Sequence, residues 1–168
     1  QTGESSQVGV LDGHEVVYVD RMESAHSLRL FTETGRRVPV HCTSSGKVLL
    51  AYLPEASRQA VLRAAPLEAL TPHTITDRSQ LAAELDRVRR RGWAEAVNER
   101  EVGVASIAAP VRDISGEVVA AISIGVPLAR CSVMALRRLA PVIMEAAEAA
   151  SRRLGWSGDL SSQQRKEG

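Results

Sequence analysis

The densest run of potentially reactive side chains is His41-Cys42-Thr43-Ser44-Ser45-Gly46-Lys47. Ser44 and Lys47 have the serine-x-x-lysine spacing with which penicillin-recognising acyl enzymes activate a serine hydroxyl. Those enzymes also require a Ser-Asp-Asn element and a Lys-Thr-Gly strand, and the chain contains neither. A phosphate-cradling glycine loop is excluded as well: the first glycine of that motif would fall on His41, and Val48 rather than Ser or Thr follows Lys47. His41 and Cys42 look like a base beside a nucleophile, yet neighbours on an extended segment point to opposite faces. His14, His26, His41 and His73 form no helical i,i+3 or i,i+4 pair, and no Cys-x-x-Cys occurs, so no metal is expected. One use remains for the run. If a helix starts near Ser44, its unsatisfied N–H groups, two hydroxyls and a close backbone approach at Gly46 suit a carboxylate or other anion. An ordinary capped helix start is the alternative.

Composition sets the frame for those residues. A chain of 168 residues suits one domain with a proper core. Aromatics make up only 3% of it, so Leu, Val, Ile and Ala must build that core. The formal charge of +1 makes the chain as a whole a poor electrostatic partner for DNA or an anionic membrane. Two distant cysteines, Cys42 and Cys131, suit a reduced, cytoplasmic protein, with one disulfide left open. No apolar run nears the ~20 residues of a membrane span, and the start "QTGESSQVGV" lacks the charged and apolar regions of a signal peptide.

The elements that would position the reactive run follow from periodicity. Residues 1–7 read as a lead-in or residual linker. Apolar runs flanking Asp12-Gly13 predict a hairpin, with Val16 and Tyr18 on one face and Val17 and Val19 on the other. "HSLRLFTE" is a third strand candidate on its alternating Leu28 and Leu30, and Pro39 keeps the next extended piece from the middle of a sheet. Helices are expected over about 44–52, over "EASRQAVLRAA", and over "ITDRSQLAAELDRVRRRG", the last capped by Thr76 or Asp77 and ended by Gly92. "WAEAV" reads as a strand. Residues 132–154 read as one long helix kinked at Pro141, and residues 157–168 as a disordered tail. The mixed order and the hairpins predict an α+β fold.

The segment from Gly103 to Pro127, "GVASIAAPVRDISGEVVAAISIGVP", predicts two strands with an unusual face. Alternation puts Val118, Ala120, Ile122, Ile124 and Val126 on one side and Val119, Ala121, Ser123 and Gly125 on the other. Ser106 shares its face with Val104 and Ala108. If the small faces coincide, the sheet has a hollow with hydroxyls on its floor, which suits a preformed small-molecule pocket. Close packing of a helix on small residues is the competing use.

"GRRVPVHCTSSGKVLLAYLPE" followed by "VGVASIAAPVRDISGEVVAAISIGVP" resembles the effector-binding domain of IclR-type bacterial transcription regulators, over about residues 8–155. The first stretch is similar to the family's His-Ala-Thr-x-x-Gly-Lys-x-x-Leu-Ala run. The second is similar to its Gly-x-x-Cys/Ser-Ile-Ala-Ala-Pro-Val and Ala-Ala-Ile-Ser strands. The resemblance implies a GAF-like curved antiparallel sheet with flanking helices and a long C-terminal helix, spanning 8–156. It implies a non-enzymatic sensor for a small organic acid or aromatic metabolite. Ser44, Ser45, Gly46, Val104, Ser106, Ser123 and Gly125 would contact this small-molecule effector, with Leu30 and Val38 as apolar wall. Ala96 and Val97 stand where the family commonly has Asp, leaving Asn98 or Glu99 as substitutes. The family's DNA-binding winged helix-turn-helix has no counterpart in residues 1–168, so DNA contact is expected only through a further N-terminal domain, in a homodimer or tetramer. Two rivals carry forward: a serine hydrolase using Ser44 and Lys47, and a GAF-like interaction module without a small ligand.

Overall fold

The computed structural model describes residues 2–27, 30 and 33–158. The chain runs β1 (Ser5–Asp12), β2 (Glu15–Met22), β3 (Arg37–Pro39), α1 (Ser44–Tyr52), α2 (Glu55–Ala64) and α3 (Arg78–Arg91). It continues through β4 (Ala94–Val97), β5 (Val104–Arg112), β6 (Val118–Pro127), α4 (Val133–Arg137) and α5 (Ala140–Arg153). Six strands form one antiparallel sheet in the order β3-β2-β1-β6-β5-β4. The sheet curls into a half-barrel with helices on both faces. The α+β, GAF-like expectation holds.

Local chemistry explains the elements. Asp12 faces Glu15 across a two-residue turn whose Gly13 takes φ +62°, a conformation costly for residues with a Cβ. Pro39 sits on β3, an edge strand, where its missing N–H leaves no ladder bond unmade. The Asp77 carboxylate caps α3 by accepting from Gln80 N at 2.8 Å, and Gly92 ends it in the left-handed region at φ +83°. Leu81, Leu85 and Val88 of α3 are buried, as their spacing predicts.

The sheet separates two cores. On one face Val16, Tyr18, Ala94, Ala108 and Ala121 meet Val48, Leu50 and Ala51 of α1 and the apolar stripe of α3. On the other, Ala105, Ile107, Ala109, Ile124 and Val126 meet Leu136 of α4 and Ile143 and Ala147 of α5. Residues 44–51 of α1 are buried throughout, so this helix runs as a central rod under the sheet.

Three expectations need correction. Ser5, Ser6 and Gln7 belong to β1, paired with β6, because their backbone continues the ladder; they are not a lead-in. The long C-terminal helix is two helices: it breaks at Arg138-Leu139, and Pro141 lies in the first turn of α5, where its missing N–H costs no intrahelical bond. Val118 does not share a face with Ala120. A bulge leaves Val119 without a partner, between the pairs Val111–Ala120 and Arg112–Val118, and this flips the alternation. Val118 therefore packs with Ala121 on the α1 side. The strand expected on Leu28 and Leu30 falls partly on residues 28, 29, 31 and 32, outside the described residues, as does most of the expected tail, residues 159–168.

Candidate functional site

Both hairpin strands place small side chains on the α1 face, and register aligns them. Ser106 lies opposite Gly125, and Ala108 opposite Ser123. Gln7 of β1 lies opposite Ser123 on the other side of β6. α1 covers the alanines of this face. Beyond its N-terminus the face is open, and a cavity of about 290 Å³ remains. That volume is at the small end of ligand sites.

The sequence places Leu30, Val104, Ser106, Ser123 and Gly125 in the site, and all five line this cavity. Gly125 has a steric reason: a Cβ there would meet Leu30 Cδ1 at 2.7 Å. The Leu30 main chain is held in turn, because its carbonyl accepts from Ser5 Oγ at 3.2 Å.

The four other expected residues are not on the cavity wall. Ser44 Oγ donates to Ser106 Oγ at 2.8 Å, so it orients a wall hydroxyl from behind. The Ser45 hydroxyl is buried and forms no hydrogen bond of full geometry. The space Gly46 leaves is taken by backbone: a Cβ there would lie 2.1 Å from Val40 O. Its close approach is to the chain itself, not to a ligand. Val38 is buried in the α1-side core with Val16. The cap of α1 is Thr43, whose Oγ1 accepts from Gly46 N at 3.1 Å and which stands on the cavity wall.

The geometry also removes the hydrolase reading. Lys47 is 1% exposed. Its ammonium donates to Glu99 Oε1 at 2.5 Å and to Glu95 O at 3.1 Å. An amine committed to a buried ion pair gives Ser44 no base. His41 and Cys42 form no catalytic pair either. His41 Nε2 lies 2.9 Å from Glu68 O, and burial lowers the imidazole's pKa. Cys42 is a free thiol on the cavity wall, and burial pushes its pKa up to about 11, so it stays neutral. Cys131 is also a free thiol.

Sequence reasoning missed much of the polar wall. Tyr18 comes from β2, Arg36 from the turn before β3, and Arg100 and Glu101 from the loop after β4. Burial raises the Tyr18 phenol pKa, opposed by the nearby Ser45 hydroxyl and Arg100. Alternation along β2 places Tyr18 on the core face but cannot reveal a cavity there. The run "NERE" was the available signal for the loop. Of the two substitutes expected there, Glu99 lines the cavity. Asn98 instead shapes the loop: it takes φ +58°, and its Oδ1 accepts from Gly103 N at 2.8 Å.

No group of three or more metal-ligating side chains occurs among the described residues, and none of their helices is long and apolar enough to cross a membrane.

The comparisons agree with this architecture. The family model described as "Bacterial transcriptional regulator IclR C-terminal" matches residues 1–152. The chain is 40% identical over 146 residues to the probable transcriptional regulator SauR of Cupriavidus necator, covering 87% of this chain and 58% of that protein. A putative transcriptional regulator from Rhodococcus sp. RHA1 superposes with a TM-score of 0.87 at 38% identity, over 90% of this chain and 62% of the other. The inducer-binding domain of the Acinetobacter transcription factor PobR, a double mutant solved with 3-hydroxybenzoic acid, gives 0.81 at 32% identity, over 90% and 89%. The chain thus spans about three fifths of the length of the SauR relative. These relatives are transcription regulators rather than enzymes, and with the half-barrel and its α1-side hollow they show that the chain belongs to the IclR family, as its C-terminal domain.

Proposed function

We propose that the cavity binds a small organic anion and that this domain senses it for a transcription regulator. One observation carries the reading. Arg36 and Arg100 both line the cavity, and neither has an ion-pair partner among the described residues. Lys47 balances the charge of Glu99, which leaves two guanidiniums against Glu101 and a net positive wall. The N-terminal end of α1, capped by Thr43, adds partial positive charge. Ser106, Ser123 and Tyr18 add hydroxyls that fix orientation. The 3-hydroxybenzoic acid bound to the related PobR domain supports an acid as ligand.

The sensing unit runs from β1 to the end of α5. It works in the cytoplasm as a homodimer or tetramer, and DNA is bound through a separate N-terminal domain. The ligand shifts DNA affinity only by binding one arrangement of the domains better than another.

A thermal-shift and calorimetric screen of small carboxylic acids tests this. An acid at ~100 times its Kd should stabilise the fold by roughly 2.7 kcal/mol. Arg100→Ala should abolish the shift. If no acid stabilises the protein, the sensor reading fails and the interaction-module reading replaces it.

A further inference from the structure

Glu99 is held firmly, yet half of its carboxylate is idle. Oε1 accepts from Lys47 Nζ at 2.5 Å. Oε2 is buried and accepts no hydrogen bond of full geometry, although the Val97 backbone also approaches the carboxylate and the residue is only 9% exposed. Buried carboxylate oxygens without partners are costly, so such an oxygen on a cavity wall calls for an explanation.

The loop carrying Glu99 is stapled from two sides. Thr71 Oγ1 donates to Asn98 O at 2.6 Å, and Thr74 Oγ1 donates to Glu99 O at 2.5 Å. Gly103 N closes the loop onto the Asn98 side chain. The carboxylate is therefore pre-positioned rather than swinging, which lowers the ordering cost of any contact it makes. The same wall carries Arg36 and Arg100, the groups suited to an acid.

The geometry points to Glu99 as the residue that selects the ligand. Its free Oε2 accepts a hydrogen bond from a second group on the acid, a hydroxyl or an ammonium. This inference rests on the acid-binding reading above and narrows it to small carboxylic acids that also carry a donor. An acid without one leaves Oε2 unpartnered and dry, so it binds less well.

Two matched series test this by calorimetry. One is propanoate, 2-hydroxypropanoate and 2-aminopropanoate. The other is benzoate, 3-hydroxybenzoate and 3-(aminomethyl)benzoate. In at least one series a donor-bearing member should bind the parent protein roughly ten- to a hundredfold more tightly than the bare acid. Glu99→Gln should cut that preference to below about threefold; because it also unmasks the Lys47 charge, the readout is the ratio within each series and not the bare acid's affinity. A larger loss for the amino than for the hydroxy member identifies an ammonium as the natural donor, and a larger loss for the hydroxy member identifies a hydroxyl. If Glu99→Gln melts far below the parent, Glu99→Asp, which keeps the charge but withdraws the oxygen, takes its place. Acids that bind with no donor preference, or a preference that survives both variants, overturn the role of Glu99 and leave the acid site standing. If none of the six compounds binds, the acid-site reading falls and this inference falls with it.

Discussion

At one end of the β5–β6 hairpin, Ala108 and Ala121 lie under α1 in a closed core with Val48 and Ala51. At the other end of the same face, Ser106, Ser123 and Gly125 border an open cavity. The two ends are built from similarly small residues, on the same strands, in continuous register. What separates them is where α1 begins. Along the helix, small side chains let a buried rod approach the sheet, as close packing demands. Past Thr43 no rod is present, and the same smallness leaves room. Of the two features weighed for this face, helix packing occupies one end and an open hollow the other.

Substitutions can break that division. The largest effect is expected at Gly46→Ala, on the helix side. Its Cβ would meet the Val40 backbone, which has no rotamer to yield. We expect a loss of about 3 kcal/mol or more, read by denaturant unfolding. A near-parental midpoint would mean that the α1 contact is softer than described.

Next comes a matched pair of insertions. Ala121→Leu forces volume into the closed end and should cost roughly 1–3 kcal/mol. Ser123→Leu points into the cavity, so stability should stay within about 1 kcal/mol of the parent while calorimetry shows acid binding abolished. The comparison fails if Ser123→Leu unfolds the protein as Ala121→Leu does, or if it binds acids normally.

Gly125→Ala is a gentler probe of the open end. The clash is with the far end of the Leu30 side chain, which can turn aside into the cavity. Stability should change by less than about 1 kcal/mol, and acid binding should weaken because Leu30 narrows the site. Unchanged affinity would remove Leu30 from the wall.

The smallest effect is a pH dependence confined to the packed side. Burial lowers the pKa of His41 from 6.5 in the folded state, so protonation favours unfolding. Its contribution is present above about pH 6.5 and is lost as pH falls toward the depressed value. Thermal melts on either side of that pH should show a shallower acid decline for His41→Gln than for the parent. Parallel declines would remove His41 as the source.

The readable parts of the molecule were those set by local rules. Gly13, Asp77 and Gly92 mark turn, cap and stop because each answers a backbone requirement that neighbouring residues impose. Strand alternation found Ser106 and Ser123 because a period of two holds wherever the strand is regular. It failed at Val118, where an extra residue shifts the phase without any glycine or proline to announce it. The expected helix-start site at Ser45 and Gly46 was misplaced for another reason. A helix terminus has free donors in any sequence, and only packing decides whether ligand, solvent or another stretch of chain meets it. Here Thr43 Oγ1 takes the Gly46 N–H, and the Val40 backbone fills the space beside Gly46.

The sequence by itself determined the family, most of the strand and helix order, and the thin face of the hairpin, because motifs and periodicities are properties of neighbours along the chain. Tertiary structure alone decided that α1 fills half of that face, that Lys47 is spent on Glu99, and that Arg36, Arg100 and Tyr18 converge on what remains. Those outcomes depend on distances between residues far apart in sequence. No local preference encodes them, and the charge balance and volume of the cavity exist only once the sheet has closed around the helix.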